Sequence, residues 1–382
     1  GILLVSIVQN AGLSHNMGIC GSAKNEFAAR TGVSGNYLKR LMIIMWAFAG
    51  LIAVALFGMG GLSDPDAAWG AMSNQLLGPG LIGLMLAGVL AGTMSTLAAK
   101  ALAISSLFVR NVFRQIWPGI TQTQGVFYAR CTIVAILALG TLAALQMGSF
   151  FSIINIVLTV NIPFGAAVLM TYWWRRITAP AVWCCVILST LAIIVIPWTA
   201  SKFTVLRTNP ALTQMSQKAG TGVYFGSVVH QRANDLSSPL VAAGGLNRFN
   251  FEAWTLDKAG LEMEALTPNQ RLTAQFFFDG FFPFIVLILV SLVTRHADPV
   301  RVALFYGKMK TPVGATPELE AAAMEETKRN PARFDHTKLV PASNWEFCKW
   351  DRVDAIGFII CFALSAVIIG FFIGALHMAA AG

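Results

Sequence analysis

Charge is scarce in this sequence. Of 382 residues, 12% are Asp, Glu, Lys or Arg and 56% are hydrophobic, about half the charged share of roughly 25% in an average soluble domain. That composition excludes an ordinary soluble domain and implies an all-helical, polytopic membrane protein. Catalytic signatures are missing as well: there is no HExxH, no GxSxG elbow and no Walker A loop. With no pair of carboxylates placed as acid and base within the spans, a membrane enzyme has no support. His15, His230, His296, His336 and His377 fall at no metal-ligand spacing, and the six cysteines form no CxxC or Cys/His pattern, so they read as packing residues. No basic cluster is interleaved with aromatics, and the formal net charge of +9 therefore speaks for membrane topology, not nucleic acid. Nothing points to an obligate protein partner. The chain opens at Gly1 on the apolar run GILLVSIVQN, without Met or a signal peptide, which reads as a fragment missing its N-terminal part.

Long apolar runs are what the chain has in abundance. With about 20 residues needed per spanning helix, the end of one helix is expected at 1–10. Seven spans follow near 41–62, 80–113, 126–147, 150–174, 178–199, 273–294 and 354–379. The second exceeds what a bilayer needs, so its end should project into water. Lys24, Arg30, Lys39 and Arg40, then Arg110, Arg114 and Arg130, then Arg175 and Arg176 fall in alternate connections, whereas 63–79 carries Asp64 and Asp66 and no base. The positive-inside rule puts the basic connections in the cytoplasm. The division that follows is a membrane region at 1–199, an extracytoplasmic segment at 200–272, a span at 273–294, a cytoplasmic linker at 295–353 and a last span at 354–382. Segment 200–272 shows little sustained periodicity and reads as a cap, a lid or irregular structure. In the linker, TPELEAAAMEETKRNP reads as a helix capped by Thr316 with Pro317 first, a solvated connector.

Polar residues inside apolar runs carry the functional signal. Ser95, Thr96 and Lys100 lie near the middle of the 80–113 run, with Thr96 and Lys100 one turn apart on a single face. A lysine at the bilayer centre costs about 2.5 to 3.5 kcal/mol on insertion scales. Hydroxyls in spanning helices often bond their own i−4 carbonyl, but Gly92, Ser95, Thr96, Lys100, Ser105 and Ser106 cluster as polar or small residues on a helix otherwise lined with Leu, Ile, Ala and Met. Hard cations take oxygen ligands, which backbone carbonyls and two hydroxyls supply. Gly88 and Gly92 form GxxxG, a close-packing pattern. Gly78, Gly80 and Gly83 spell GxGxxG but follow a loop and open a spanning helix, so nucleotide binding is unsupported. Asn155, Asn161 and Pro163 predict a kinked helix with two buried amides, open equally to helix-helix hydrogen bonding and to solute contact.

The stretch AGTMSTLAAKALAISSLFVRNVF resembles the eighth core helix of the sodium:solute symporter family, which reads small-small-x-x-Ser-Ser/Thr, a second Ser-Ser/Thr pair, then Asp. SAKNEFAARTG resembles that family's loop after the sixth core helix. FYGKMKTPVG and KLVPASNWEFCKWDRVDAIGF resemble the linker before the last helix of its sugar-transporter-like members. The resemblance implies a leucine-transporter-like fold of inverted five-helix repeats, of which this chain would hold the C-terminal part. That part is the end of core helix six, core helices seven to ten and three peripheral helices. It further implies a coupling sodium ion held by the Gly92 carbonyl and the Ser95 and Thr96 hydroxyls, with Asn155, by a looser alignment, near the solute; Asn161 is a solute candidate from its place in the span alone. The implied activity is symport of a small organic solute (sugar, amino acid or carboxylate) by alternating access, from an integral position in a bacterial inner membrane.

Two departures stand out. The family Asp is Asn111 here, and Lys100 stands where relatives carry a neutral residue. Two unit charges about 4 Å apart repel by about 4 kcal/mol at an effective dielectric of about 20. A Lys100 ammonium pointing into the site would weaken or replace sodium and open a proton-coupled alternative; one that snorkels away leaves sodium coupling intact. A transporter-derived sensor without flux is the alternative of another class.

Overall fold

A computed structural model describes residues 1–13, 20–21, 23–58, 61–146, 150–216, 220–232, 235, 237–244 and 247–381. Its main helices are α1 (Ile2–Ala11), α2 (Glu26–Ser34), α3 (Asn36–Phe57), α4 (Ala68–Leu76), α5 (Pro79–Phe108), α6 (Gln122–Gln146), α7 (Phe150–Val160) and α8 (Ile162–Trp173). After α9 (Ala179–Thr190) come two short strands, β1 (Val228–His230) and β2 (Leu240–Ala242). The rest are α10 (Phe251–Lys258), α11 (Pro268–Val293), α12 (Pro299–Lys310), α13 (Pro317–Arg329) and α14 (Arg352–Ala381). Among the described residues six helical stretches are long and apolar enough to cross a bilayer: Pro79–Ile116, Gln122–Leu145, Ile156–Trp173, Ala179–Lys202, Pro268–Val293 and Arg352–Gly374. The protein is an all-α, polytopic integral membrane protein. The 38-residue stretch from Pro79 is about 57 Å long at 1.5 Å per residue, nearly twice the hydrocarbon thickness of about 30 Å. The 150–174 run is divided at Asn161, where α7 ends and α8 begins with Pro163 in its first turn, as the sequence led us to expect of that proline.

The described residues form two compact units. One comprises Gly1–Leu13, Ile154–Thr311 and Met324–Phe347. In it α1, α8, α9 and α11 share a core of Val5, Val8, Ile162, Ala166, Met170, Ala181, Cys185 and Leu287. Small residues let the backbones meet: a Cβ on Gly165 would lie 1.8 Å from the Val8 carbonyl oxygen, and one on Gly280 2.7 Å from the Leu4 side chain. The α11 helix starts with a capping box, in which the Thr267 hydroxyl accepts from the Gln270 N–H while the Gln270 side chain accepts from the Thr267 N–H.

Residues 200–267 carry a core of their own, formed by Val223, Tyr224, Phe225, Ala242, Phe249, Ala253 and Met263. Strands β1 and β2 pair antiparallel, with Val228 opposite Ala242 and His230 opposite Leu240. The Asn247 side chain ties the loop together, accepting from the Ser227 N–H at 3.0 Å and donating to the carbonyls of Ser227 and Ala243 at 2.8 and 3.0 Å.

The part of the 295–353 linker that follows α13 docks on the turn after α8, whereas the start of the helix read as a solvated connector, 316–322, is exposed. Trp345 pairs with Trp174 in a β-bridge, the Arg175 N–H donates to the Asn344 carbonyl at 2.8 Å, and the Glu346 N–H donates to the Trp173 carbonyl at 2.8 Å. Around this bridge lies a buried ionic cluster. The Glu346 side chain, with no solvent exposure, takes an ion pair from Arg175, one from Lys310 at 2.5 Å and one from Lys338 at 3.6 Å. Lys338, 1% exposed, also donates to the Ser343 carbonyl at 2.6 Å. Arg175 pairs with Asp335 at 2.5 Å. Burial alone would lower the Arg175 pKa, but its bond to Asp335 and the charges of Glu346 and Asp335 hold it above the ordinary value. Beside it Tyr306 donates to the Thr171 carbonyl at 2.6 Å. Burial, and then the Glu346 charge, push the Tyr306 hydroxyl up to about 12 against the opposing Arg175.

The other unit comprises Ser14–Ile153, Pro312–Ala323 and Cys348–Gly382. Here α5 packs along α6, α3 packs on α4 and on α14, and Phe113 stacks on Tyr128 with centroids 4.7 Å apart. Arg30, beside α2's acidic first turn, pairs with Asp354 at the start of α14 at 2.6 Å. Thr316 caps α13, accepting from the Leu319 N–H at 3.4 Å, with Pro317 in the first position.

Candidate functional site

Helix α5 holds Gly92, Ser95, Thr96 and Lys100. It runs unbroken because Ala, Leu and Met, strong helix formers, fill most of its turns and Pro79 opens it where no N–H is needed. One face carries Met85, Gly88, Val89, Gly92, Thr93, Thr96 and Leu97 at spacings of three and four residues. Together with Trp46 of α3 and Trp69 of α4, this face lines an open groove of about 690 Å³, within the size range of small-molecule sites. The two tryptophan rings lie 5.0 Å apart and form one wall. Gly88 and Gly92 present no side chain there, and a Cβ on either would meet nothing within 4 Å. The GxxxG pair therefore opens space in this unit instead of seating a neighbouring helix.

The groove brings together part of the predicted cation set. Gly92 and Thr96 line it, and the Thr96 hydroxyl donates to the Gly92 carbonyl at 3.0 Å. Thr93, which sequence reasoning passed over, lines the same groove and donates to the Val89 carbonyl at 2.8 Å. Its signal was the threonine spacing of three, 93 and 96, on the GxxxG face. Ser95 is exposed but not among the groove-lining residues, being rotated about 100° from Thr96 on the helix. Lys100 continues the Thr96 face one turn beyond the groove, exposed and without an ion pair among the described residues. Asn161 is the residue before α8, and its amide donates to the Val157 carbonyl at 3.2 Å. The side chain of Asn155 lies outside the described residues.

Chemically, this face can offer neutral oxygens to a hard cation. Each threonine hydroxyl donates its one hydrogen to its own helix, leaving oxygen lone pairs free to ligate. On this face Gly92 and Thr96 bring two oxygens, a carbonyl and a hydroxyl, about a third of a six-ligand shell. No cluster of three or more His, Cys, Asp or Glu that would hold a more highly charged metal occurs among the described residues.

Sequence reasoning also passed over a carboxylate inside a span. Asp279, in α11, is fully buried, and Glu252 of the adjoining α10 is 2% exposed. The signal was present as one Asp in the run RLTAQFFFDGFFPF; its partner is separated in sequence and shares no local pattern with it.

Comparisons with known proteins bear on the α5 groove. The sodium:solute symporter family profile matches residues 6–188, a region that holds α5 whole. Over 168 residues, 40% of this chain, the sequence is 24% identical to the high-affinity proline transporter PutP of Bacillus subtilis. That match spans 35% of the relative's length. The stretches FYGKMKTPVG and KLVPASNWEFCKWDRVDAIGF lie beyond the matched region.

Proposed function

We propose, from the premise that residues 6–188 belong to the sodium:solute symporter family, that this membrane protein acts in sodium-coupled secondary transport with a leucine-transporter-like fold. It moves a small organic solute by alternating access. The observation that carries the reading is the placement of Gly92 and Thr96 side by side on the groove face of α5, inside the matched region. Sodium enters as a co-transported ion. The Gly92 carbonyl and the Thr96 hydroxyl hold one side of it, and the Ser95 hydroxyl, next to Thr96 in the same turn, is the third ligand of the set. Of the three solute classes, an amino acid has the support of the B. subtilis relative, whose name gives proline. Asn161, at the break between α7 and α8, and Asn155 of α7 are the candidate solute contacts. The basic connections place 200–272 outside and 295–353 inside a bacterial inner membrane.

Lys100 sets the mode of coupling. One turn beyond Thr96 and exposed, its four-carbon stem lets the ammonium snorkel away from the groove, which keeps sodium as the coupling ion. Proteoliposomes carrying the transporter are expected to accumulate radiolabelled proline in sodium chloride and to lose most uptake when choline replaces sodium. Equal uptake in the two salts would falsify sodium coupling.

A further inference from the structure

The second polar site of the molecule lies where α10 meets α11. Glu252, 2% exposed, accepts from Arg248 at 2.7 Å, and Arg248 also donates to Asn250 at 3.0 Å. With its amide oxygen turned to Arg248, Gln275 accepts from both guanidinium amines at 3.3 and 3.1 Å. Its NH2 is then the one amide donor in reach of Asp279, one turn along α11. Asp279 is fully buried, and neither of its oxygens receives any other hydrogen bond among the described residues.

Charge does not balance here. Two buried carboxylates lie beside one guanidinium, and among the described residues no ion pair reaches Asp279. The other helices packed against α11 offer no compensation: α1, α8 and α9 contain no Asp, Glu, Lys, Arg or His. Their titratable side chains are Tyr172, Cys184 and Cys185, and Cys185 is spent on the Pro283 carbonyl at 3.5 Å. A buried negative charge left over in this way calls for a positive partner.

We propose that Asp279, with the Arg248-paired Glu252 as its neighbouring carboxylate, binds one small monovalent cation, a proton or sodium, at the contact of α10 with α11. The site is independent of the α5 groove and of the transport reading. Arg248 is fixed by Glu252, Asn250 and Gln275, and the bound cation takes the Asp279 oxygens the guanidinium leaves open. Because Glu252 belongs to segment 200–267 and Asp279 to a span, occupancy ties the one to the other.

The test uses the purified protein in detergent, with radioactive sodium binding and the infrared band of a protonated carboxyl measured in parallel. Sodium occupancy gives a stoichiometry that falls by one ion per chain in Asp279→Asn. Proton occupancy gives a carboxyl band that disappears in the same variant. Either result supports the site and identifies its occupant; no loss of sodium and no lost band overturns it. Should Asp279→Asn fail to elute as a folded monodisperse species, Glu252→Gln serves. Removing that carboxylate leaves Arg248 free to neutralise Asp279, so the signal is again expected to vanish, and its persistence overturns the proposal.

Discussion

The threonines of α5 and the ions around Glu346 are both polar groups in a largely apolar protein, and they are satisfied in opposite ways. Thr93 and Thr96 bond carbonyls four residues back in their own helix, so they need nothing from the rest of the chain. Glu346 depends on Arg175, Lys310 and Lys338, brought from three separate stretches of sequence and sealed from solvent. Self-sufficient hydroxyls can change partners cheaply, which suits a site that binds and releases. Mutually dependent charges cannot, which suits an anchor.

The largest expected effect tests the anchor. Glu346→Ala leaves three cations around an empty pocket and should lower stability by about 3 to 5 kcal/mol, the range for breaking a buried pair from one side, read from chemical unfolding in detergent. A loss under about 1 kcal/mol, the value of an exposed pair, would remove the contrast. Alkaline pH probes the same place more gently. Because the folded Tyr306 pKa is raised to about 12 from an ordinary value of about 10, its contribution is whole below pH ~10 and is lost as pH rises toward ~12. The wild-type unfolding midpoint should therefore fall across that window more steeply than that of Tyr306→Phe; parallel profiles would contradict the burial described for the hydroxyl.

Thr96→Ala should cost little stability, within about 0.5 kcal/mol as for a surface substitution, while sharply reducing sodium-dependent uptake. If it destabilises as Glu346→Ala does, the threonine is structural and the comparison collapses. Lys100→Gln is the smallest and most diagnostic change. An unchanged sodium titration of uptake fits a lysine that snorkels away, whereas a tighter sodium response means that its charge reaches the ion.

What the sequence made legible follows from the range of each interaction. Six of the seven expected full spans, all but 41–62, could be read from composition alone, because every residue of α5, α6 or α14 reports the apolar surroundings independently. The Gly92–Thr96 pair was legible for the same reason: four residues along one helix is local geometry. The docking of 324–347 was not, since Trp174 meets Trp345 and Arg175 meets Asp335 across more than 150 positions, and only folding brings them together. Asp279 was overlooked because a lone carboxylate in a run of phenylalanines has no neighbour in sequence to declare its role, while Glu252 and Arg248 look like ordinary loop charges until they are buried.

The clasp at Trp174 and Trp345 gives the polypeptide a second, non-covalent continuity. Residues 316–322 at the start of α13 are exposed, so a protease can reach them, yet 324–347 is gripped by the bridge and by the cations around Glu346. A chain nicked there should migrate as two pieces in denaturing gels and as one species in detergent. By the same logic, the two halves expressed as separate polypeptides divided at that point should find each other.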